Sequence, residues 1–144
     1  MSIVVNTNDI TLQAALAVCK GAIKKAEELN INICVSTCDS SGLELAFLRM
    51  NDSYIHSIEI AKNKAYTSAS FKFPSGTWTS IFKESPHLEQ GFSNRDKLIP
   101  FGGGLPISLN EKTIGAIGVS GGTEEEDIIC AKAGIKIIMD KKGK

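Results

Sequence analysis

Two glycine-dense segments constrain this chain more than any other feature. Leu98-Ile-Pro-Phe-Gly-Gly-Gly-Leu-Pro-Ile107 and Gly115-Ala-Ile-Gly-Val-Ser-Gly-Gly-Thr123 frame a short apolar hairpin, and the second opens straight into an acidic helix start. Glycine at such places means backbone brought close to something, or turned where a Cβ would collide. A fold for this sequence must therefore press the hairpin against another element or against a ligand.

The surrounding sequence is that of one globular domain, residues 1–144, with 42% hydrophobic and 22% charged residues. Sixteen basic residues offset sixteen acidic ones, which leaves no net field to attract nucleic acid or an anionic membrane. The lysines are scattered apart from Lys141-Lys142-Gly143-Lys144, read as a solvated end. No window reaches the ~20 apolar residues of a membrane span. The start, Met1-Ser-Ile-Val-Val-Asn-Thr-Asn-Asp9, lacks the basic and apolar pattern of a signal peptide. The expectation is a cytoplasmic protein without nucleic-acid or membrane partners. Its cysteines are Cys19, Cys34, Cys38 and Cys130. Cys34 and Cys38 share a strand face but stand ~13 Å apart, too far for a disulfide. Four reduced thiols are expected.

Thr11 is placed to cap a helix whose apolar stripe runs Leu12, Ala15, Leu16, Cys19, Ile23, Ala26 and Leu29. Residues 31–37 and 43–50 read as strands joined by Asp39-Ser-Ser-Gly42. A second helix spans residues 54–71, with Ile55, Ile58, Ala61, Ala65 and Ala69 on one face, and Pro74-Ser-Gly76 ends it. Residues 77–98 are irregular, apart from one helical turn near Trp78. The apolar Trp78, Phe82 and Phe92 there call for a covering surface, and hence a homo-oligomer. Short strands follow at 98–101, 105–109 and 113–119, with a turn at Asn110-Glu111 and a last helix from Glu124 to about Met139. The predicted order is α-β-β-α-β-β-β-α. Its hairpins imply an α/β (α+β) domain with a mainly antiparallel sheet and helices packed on it.

Taken with Ser57-Ile-Glu-Ile-Ala61 and Lys64-Ala-Tyr-Thr67, the glycine segments resemble the GlcG/HbpS-type haem-binding family. That family includes the C-terminal domain of PduO-type cobalamin adenosyltransferases. The resemblance runs from about Ile10 to Met139. It implies a profilin-like α-β-α layered sandwich on a five-stranded antiparallel sheet, binding of haem or a corrinoid, haem degradation or iron handling in some members, and self-association.

Each motif also has a plainer reading. Phe101, Gly102, Gly103 and Gly104 lead into a strand, so they are no dinucleotide fingerprint. They form either a tight corner or, as the resemblance implies, backbone beside a planar ligand. Gly121 and Gly122 precede Thr123 and Glu126, a capping box with an acidic first turn. Glu125 or Asp127 there either serves the cap alone or meets a ligand, a cation or another subunit, and the resemblance favours Asp127 over Glu124. Lys64 is a solvated lysine, or by resemblance one that faces a cleft or pairs with a carboxylate, a partner for a propionate. Thr67 shares its face, and Tyr66 reads as packing. Arg95 is an exposed loop residue or an anion clamp.

For haem iron, which accepts His, Met, Cys or Tyr, the candidates besides cysteine are His56, His87, Tyr54 and Met50. The first helix carries no histidine. HExxH is absent. The leading expectation is a small-molecule binding protein for haem or a corrinoid. Its alternatives are an enzyme of small polar metabolites with Lys64 and Asp127 as acid–base groups, and a non-catalytic accessory subunit.

Overall fold

The computed structural model describes residues 1–142; Gly143 and Lys144, the end of the lysine cluster, lie outside them. Thr11 caps α1 (Leu12–Glu28) as its sequence requires, its hydroxyl accepting the Ala14 N–H at 3.2 Å. Of the predicted stripe Ala15, Cys19 and Ala26 are buried, joined by Val18 and Ala22, while Leu12 is exposed. Hairpin strands β1 (Cys34–Asp39) and β2 (Glu44–Arg49) follow, then α2 (His56–Phe71). Helix α2 stops at Lys72, which takes a left-handed φ of 62°, just before the Pro74-Ser-Gly76 turn. Ile55, placed on its buried face by spacing, is exposed instead. Short helices α3 (Thr77–Glu84) and α4 (Pro86–Phe92) lead to β3 (Gly104–Leu109), β4 (Lys112–Ser120) and α5 (Glu124–Lys142). Asn110 and Glu111, both at positive φ, make the two-residue turn between β3 and β4.

The observed order is α-β-β-α-α-α-β-β-α, and the described residues form one sheet of four antiparallel strands, β2-β1-β4-β3. This corrects the expected five strands. The strand expected at residues 98–101 is absent because side chains claim its backbone. Thr67 accepts the Ile99 N–H at 3.0 Å and donates to the Lys97 carbonyl at 2.8 Å. Ser75 and Thr79 donate to the Phe101 and Pro100 carbonyls. Pro100 itself brings no N–H to a ladder.

Residues 77–98 are also more regular than expected, and their aromatic side chains cover one another. Trp78 has ring centroids at 4.8 Å from Phe71, 4.9 Å from Phe92, 5.2 Å from Phe82 and 5.4 Å from Phe73. These side chains need no second molecule to hide them.

Strand alternation sends successive β1 side chains to opposite faces. Val35 packs in the main core with α1, and the Thr37 hydroxyl donates to Ala15 O. On the other face Cys38 packs against Ala65 and Ala69 of α2. Helices α1 and α5 thus cover one side and α2 the other, a layered α-β-α arrangement. All four cysteines are free and buried. No helix among the described residues is long and apolar enough to cross a membrane.

Candidate functional site

Strands β3 and β4 lie directly on α2, and the glycines are what permits it. A Cβ on Gly118 would collide with the Ala61 carbonyl. Gly103 adopts φ 121°, and a Cβ there would stand 2.5 Å from Lys64 Nζ and 2.6 Å from Val119 O. Ser75 Oγ accepts the Gly104 N–H at 2.9 Å. The corner at Gly102, Gly103 and Gly104 is therefore pressed onto this chain's own lysine.

Lys64 fills that space, only 1% exposed. Its Nζ donates to Val119 O at 2.8 Å and to Asp127 Oδ2 at 3.0 Å, and stands 5.3 Å from the centroid of the half-exposed Phe101 ring. Asp127 is 3% exposed, and its Oδ1 accepts the Gly122 N–H at 2.9 Å. Burial pushes Lys64 below its ordinary value and Asp127 above its own; their mutual attraction opposes both movements. The hydrogen bond between them and the Gly122 N–H to Asp127 both favour the charged forms. Around it the capping box closes: Glu126 N–H donates to Thr123 Oγ1 at 3.2 Å, and Thr123 N–H to Glu126 Oε1 at 2.9 Å.

One helical turn from Lys64 a cleft of about 300 Å³ opens between α2 and the chain after α4. Tyr66, Phe71 and Phe92 line it with Thr67, Arg95 and Lys97. Lys97 is held at φ 61°, and its Nζ lies 4.9 Å from the Tyr66 ring centroid. Thr67 sets this conformation by bonding on both sides of it, to Lys97 O and Ile99 N. The wall is thus aromatic and the rim cationic, with Asp96 beside Lys97 as the one carboxylate on it. A second hollow of about 320 Å³ lies outside the glycine corner, lined by Gly102, Gly103, Gly104, Glu124, Ile128 and Lys132 among others.

The structure thus brings Lys64, Asp127, Gly103 and Gly122 together beneath Phe101, and Thr67 with Arg95 at the neighbouring cleft. Gly121, at φ 143°, sits against Asn32. Glu125 is exposed on the first turn of α5, as are His56 at the start of α2 and His87 on α4. Tyr54 is exposed, and Met50 packs on the main core, its sulfur accepting the Ile33 N–H at 3.4 Å. Sequence reasoning passed over Glu124, which accepts the Gly102 N–H at 2.7 Å, and Ser75. It also gave no role to Lys97, whose place follows from a side chain thirty residues away.

Fold and site define a small layered α/β domain with an aromatic, cation-rimmed cleft beside a buried ion pair. The chain belongs to the HbpS-like family, described as haem degrading protein HbpS-like, whose model matches residues 10–136. It is 37% identical over 127 residues to an uncharacterized 15.0 kDa protein from the dhaT-dhaS intergenic region of Citrobacter freundii, covering 88% of this chain and 89% of that one. It is also 31% identical to the corrinoid adenosyltransferase PduO of the same organism, over 83% of this chain but only 36% of that longer protein. Among solved structures, Klebsiella pneumoniae protein ORFY superposes with TM-score 0.90 at 34% identity, covering 96% of this chain and 97% of that one. The PduOC:heme complex superposes with TM-score 0.81 at 27% identity, covering 90% and 94%.

Proposed function

We propose that this chain is a tetrapyrrole-binding protein, with haem the first ligand and a corrinoid the second, and that it self-associates. The observation that carries the reading is the cleft beside α2, whose aromatic walls and paired cations suit a flat apolar ring with acidic side arms. The PduOC:heme neighbour and the family's description support it.

The donor set of the cleft fits haem. Phe71 and Phe92 offer apolar contact to a macrocycle, Arg95 and Lys97 suit propionates, and Tyr66 is of a type that haem iron accepts. His56 and His87 stand on exposed helix surfaces away from its lining. A cleft of this size is at the small end of ligand sites, so it takes one edge of a macrocycle and leaves the rest at the surface. Haem would supply a redox-active iron there. The chain's own part is to seat the ring edge on Phe71 and Phe92, to neutralise its acids, and to hold the rim through Thr67.

The Lys64–Asp127 pair supports binding over acid–base catalysis. Both side chains are buried and satisfied by one another and by backbone, so neither offers an open atom to a substrate. Native mass spectrometry of protein mixed with haem, and separately with cobalamin, tests the reading. One bound haem per chain with a Soret band is expected; binding of neither ligand would end it. Haem degradation, the finer reading that the family description raises, is tested by loss of that band under reductant and oxygen with release of iron.

A further inference from the structure

The segment before α1 has an unusual surface. Ile3, Val4 and Val5 are consecutive β-branched residues, 86%, 71% and 86% exposed, and they belong to no strand. β-Branched runs of this kind favour extended, paired backbone. The segment is nevertheless anchored at its far end. Ile10 N–H donates to Ile114 O at 2.9 Å, and Asp9 accepts from the backbone and hydroxyl of Ser40.

The same molecule carries an open strand edge. In the order β2-β1-β4-β3, β2 has no partner beyond β1 among the described residues. Met50 N–H donates inward to Ile33 O, so alternation turns the backbone groups of Phe47 and Arg49 outward. Exposed apolar side chains stand at both ends of this edge, Leu43 before it and Tyr54 with Ile55 after it. The other edge is blunted: β3 contains Pro106, and Ser75 takes both the N–H and the carbonyl of Gly104.

The arm does not serve its own β2. Asn6, Thr7 and Asn8 line a polar hollow with Ser40 of the β1–β2 turn, Lys72, Glu111 and Lys112, and β2 pairs only with β1 among the described residues. We infer that residues 2–7 add as a strand to the β2 edge of a second copy of this chain, which returns its own arm in exchange. The arm supplies the unpaired donors and acceptors that the edge lacks, and Leu43, Tyr54 and Ile55 meet Ile3, Val4 and Val5. Donor strand and acceptor edge occur once each per chain, as a closed two-fold exchange requires.

This inference rests on the self-association in the reading above and adds the surface that makes it. Three proteins distinguish the two: wild type, Ile3→Asp/Val5→Asp, and Arg49→Pro, which removes an outward amide and leaves the β1 ladder intact. Light scattering at micromolar concentration should give wild type as a multiple of the 15.4 kDa chain, with two as the repeating unit, and both variants at 15.4 kDa. Far-UV circular dichroism should be unchanged, because the altered groups lie outside the core. Hydrogen exchange should show the amides of residues 3–5 protected in wild type and open in Arg49→Pro. A monomeric wild type would overturn self-association as a whole. An oligomer that survives both variants, or arm amides that exchange freely within it, would overturn the arm exchange alone.

Discussion

Lys64 and Asp127, sixty-three residues apart in sequence, meet at 3.0 Å in the interior and tie α2 to the start of α5. Lys64 is the largest fully buried side chain among the described residues. Removing two charges from water costs several kcal/mol per ion before their attraction and hydrogen bonds offset it. The arrangement is therefore a device of shape more than of stability: it fixes how the glycine corner and the capped helix sit on α2.

Breaking the pair one side at a time should be severe. Lys64→Met or Asp127→Leu alone leaves a buried charge without its partner and should lower the unfolding free energy by about 3–5 kcal/mol. The double variant should recover most of that loss. Denaturant titration of the four proteins measures the coupling, and additive losses would show that the two side chains act independently.

The pair also sets a pH dependence. Folding raises Asp127 above its ordinary 3.8, so the native state holds that proton more tightly and stability falls as pH rises from 3.8 through the folded value. Folding lowers Lys64 below its ordinary 10.5, so the unfolded chain binds that proton more tightly and stability rises as pH climbs from the folded value to 10.5. Subtracting the Lys64→Met/Asp127→Leu profile from that of wild type should leave a trough at intermediate pH. A difference curve with a maximum there would reverse the sign of this account.

Thr67 is expected to act through the cleft wall. Its hydroxyl serves both the Lys97 carbonyl and the Ile99 N–H, at 2.8 and 3.0 Å. Thr67→Val leaves both without that partner and should cost about 1–3 kcal/mol. It should weaken ligand binding as well, since Lys97 loses the contacts that hold its φ of 61°. Unchanged stability and unchanged binding together would remove Thr67 from the site.

All four cysteines should count as thiols in denaturant without reductant, because none is paired. In the native protein Cys19, Cys38 and Cys130 should react slowly at pH 8. Burial lifts Cys19 and Cys130 to about 11 and Cys38 to about 12, which leaves little thiolate to react. Two or fewer thiols in denaturant would contradict the first statement.

Local signals carried the legible part of the fold. Thr11, the Asn110-Glu111 turn and the Thr123–Glu126 box each announce an element end within a few residues, and the structure realises all three. Residues 98–101 were not legible as they stand. Their backbone is satisfied by Thr67, Ser75 and Thr79, and apolar alternation says nothing of hydroxyl groups arriving from another helix. Likewise the glycine run announces a close approach without naming its neighbour. The neighbour is Lys64 and its own helix. The covering of Trp78 by Phe71, Phe73 and Phe92 depends on how α2, the turn after it and α4 pack around α3, which spacing along one helix does not contain.

The central claim is tetrapyrrole binding at the cleft of Tyr66, Phe71, Phe92, Arg95 and Lys97. Its most direct test is an equilibrium haem titration, followed at the Soret band, of wild type, Tyr66→Phe and Arg95→Ala/Lys97→Ala. Loss of each charge-assisted contact is worth about 1.5–3 kcal/mol, or about 10- to 150-fold in affinity. The account predicts saturable binding by wild type, a weakening of at least about 10-fold in the double variant, and an altered Soret position in Tyr66→Phe. Absence of saturable binding by wild type, or identical curves for all three proteins, would contradict it.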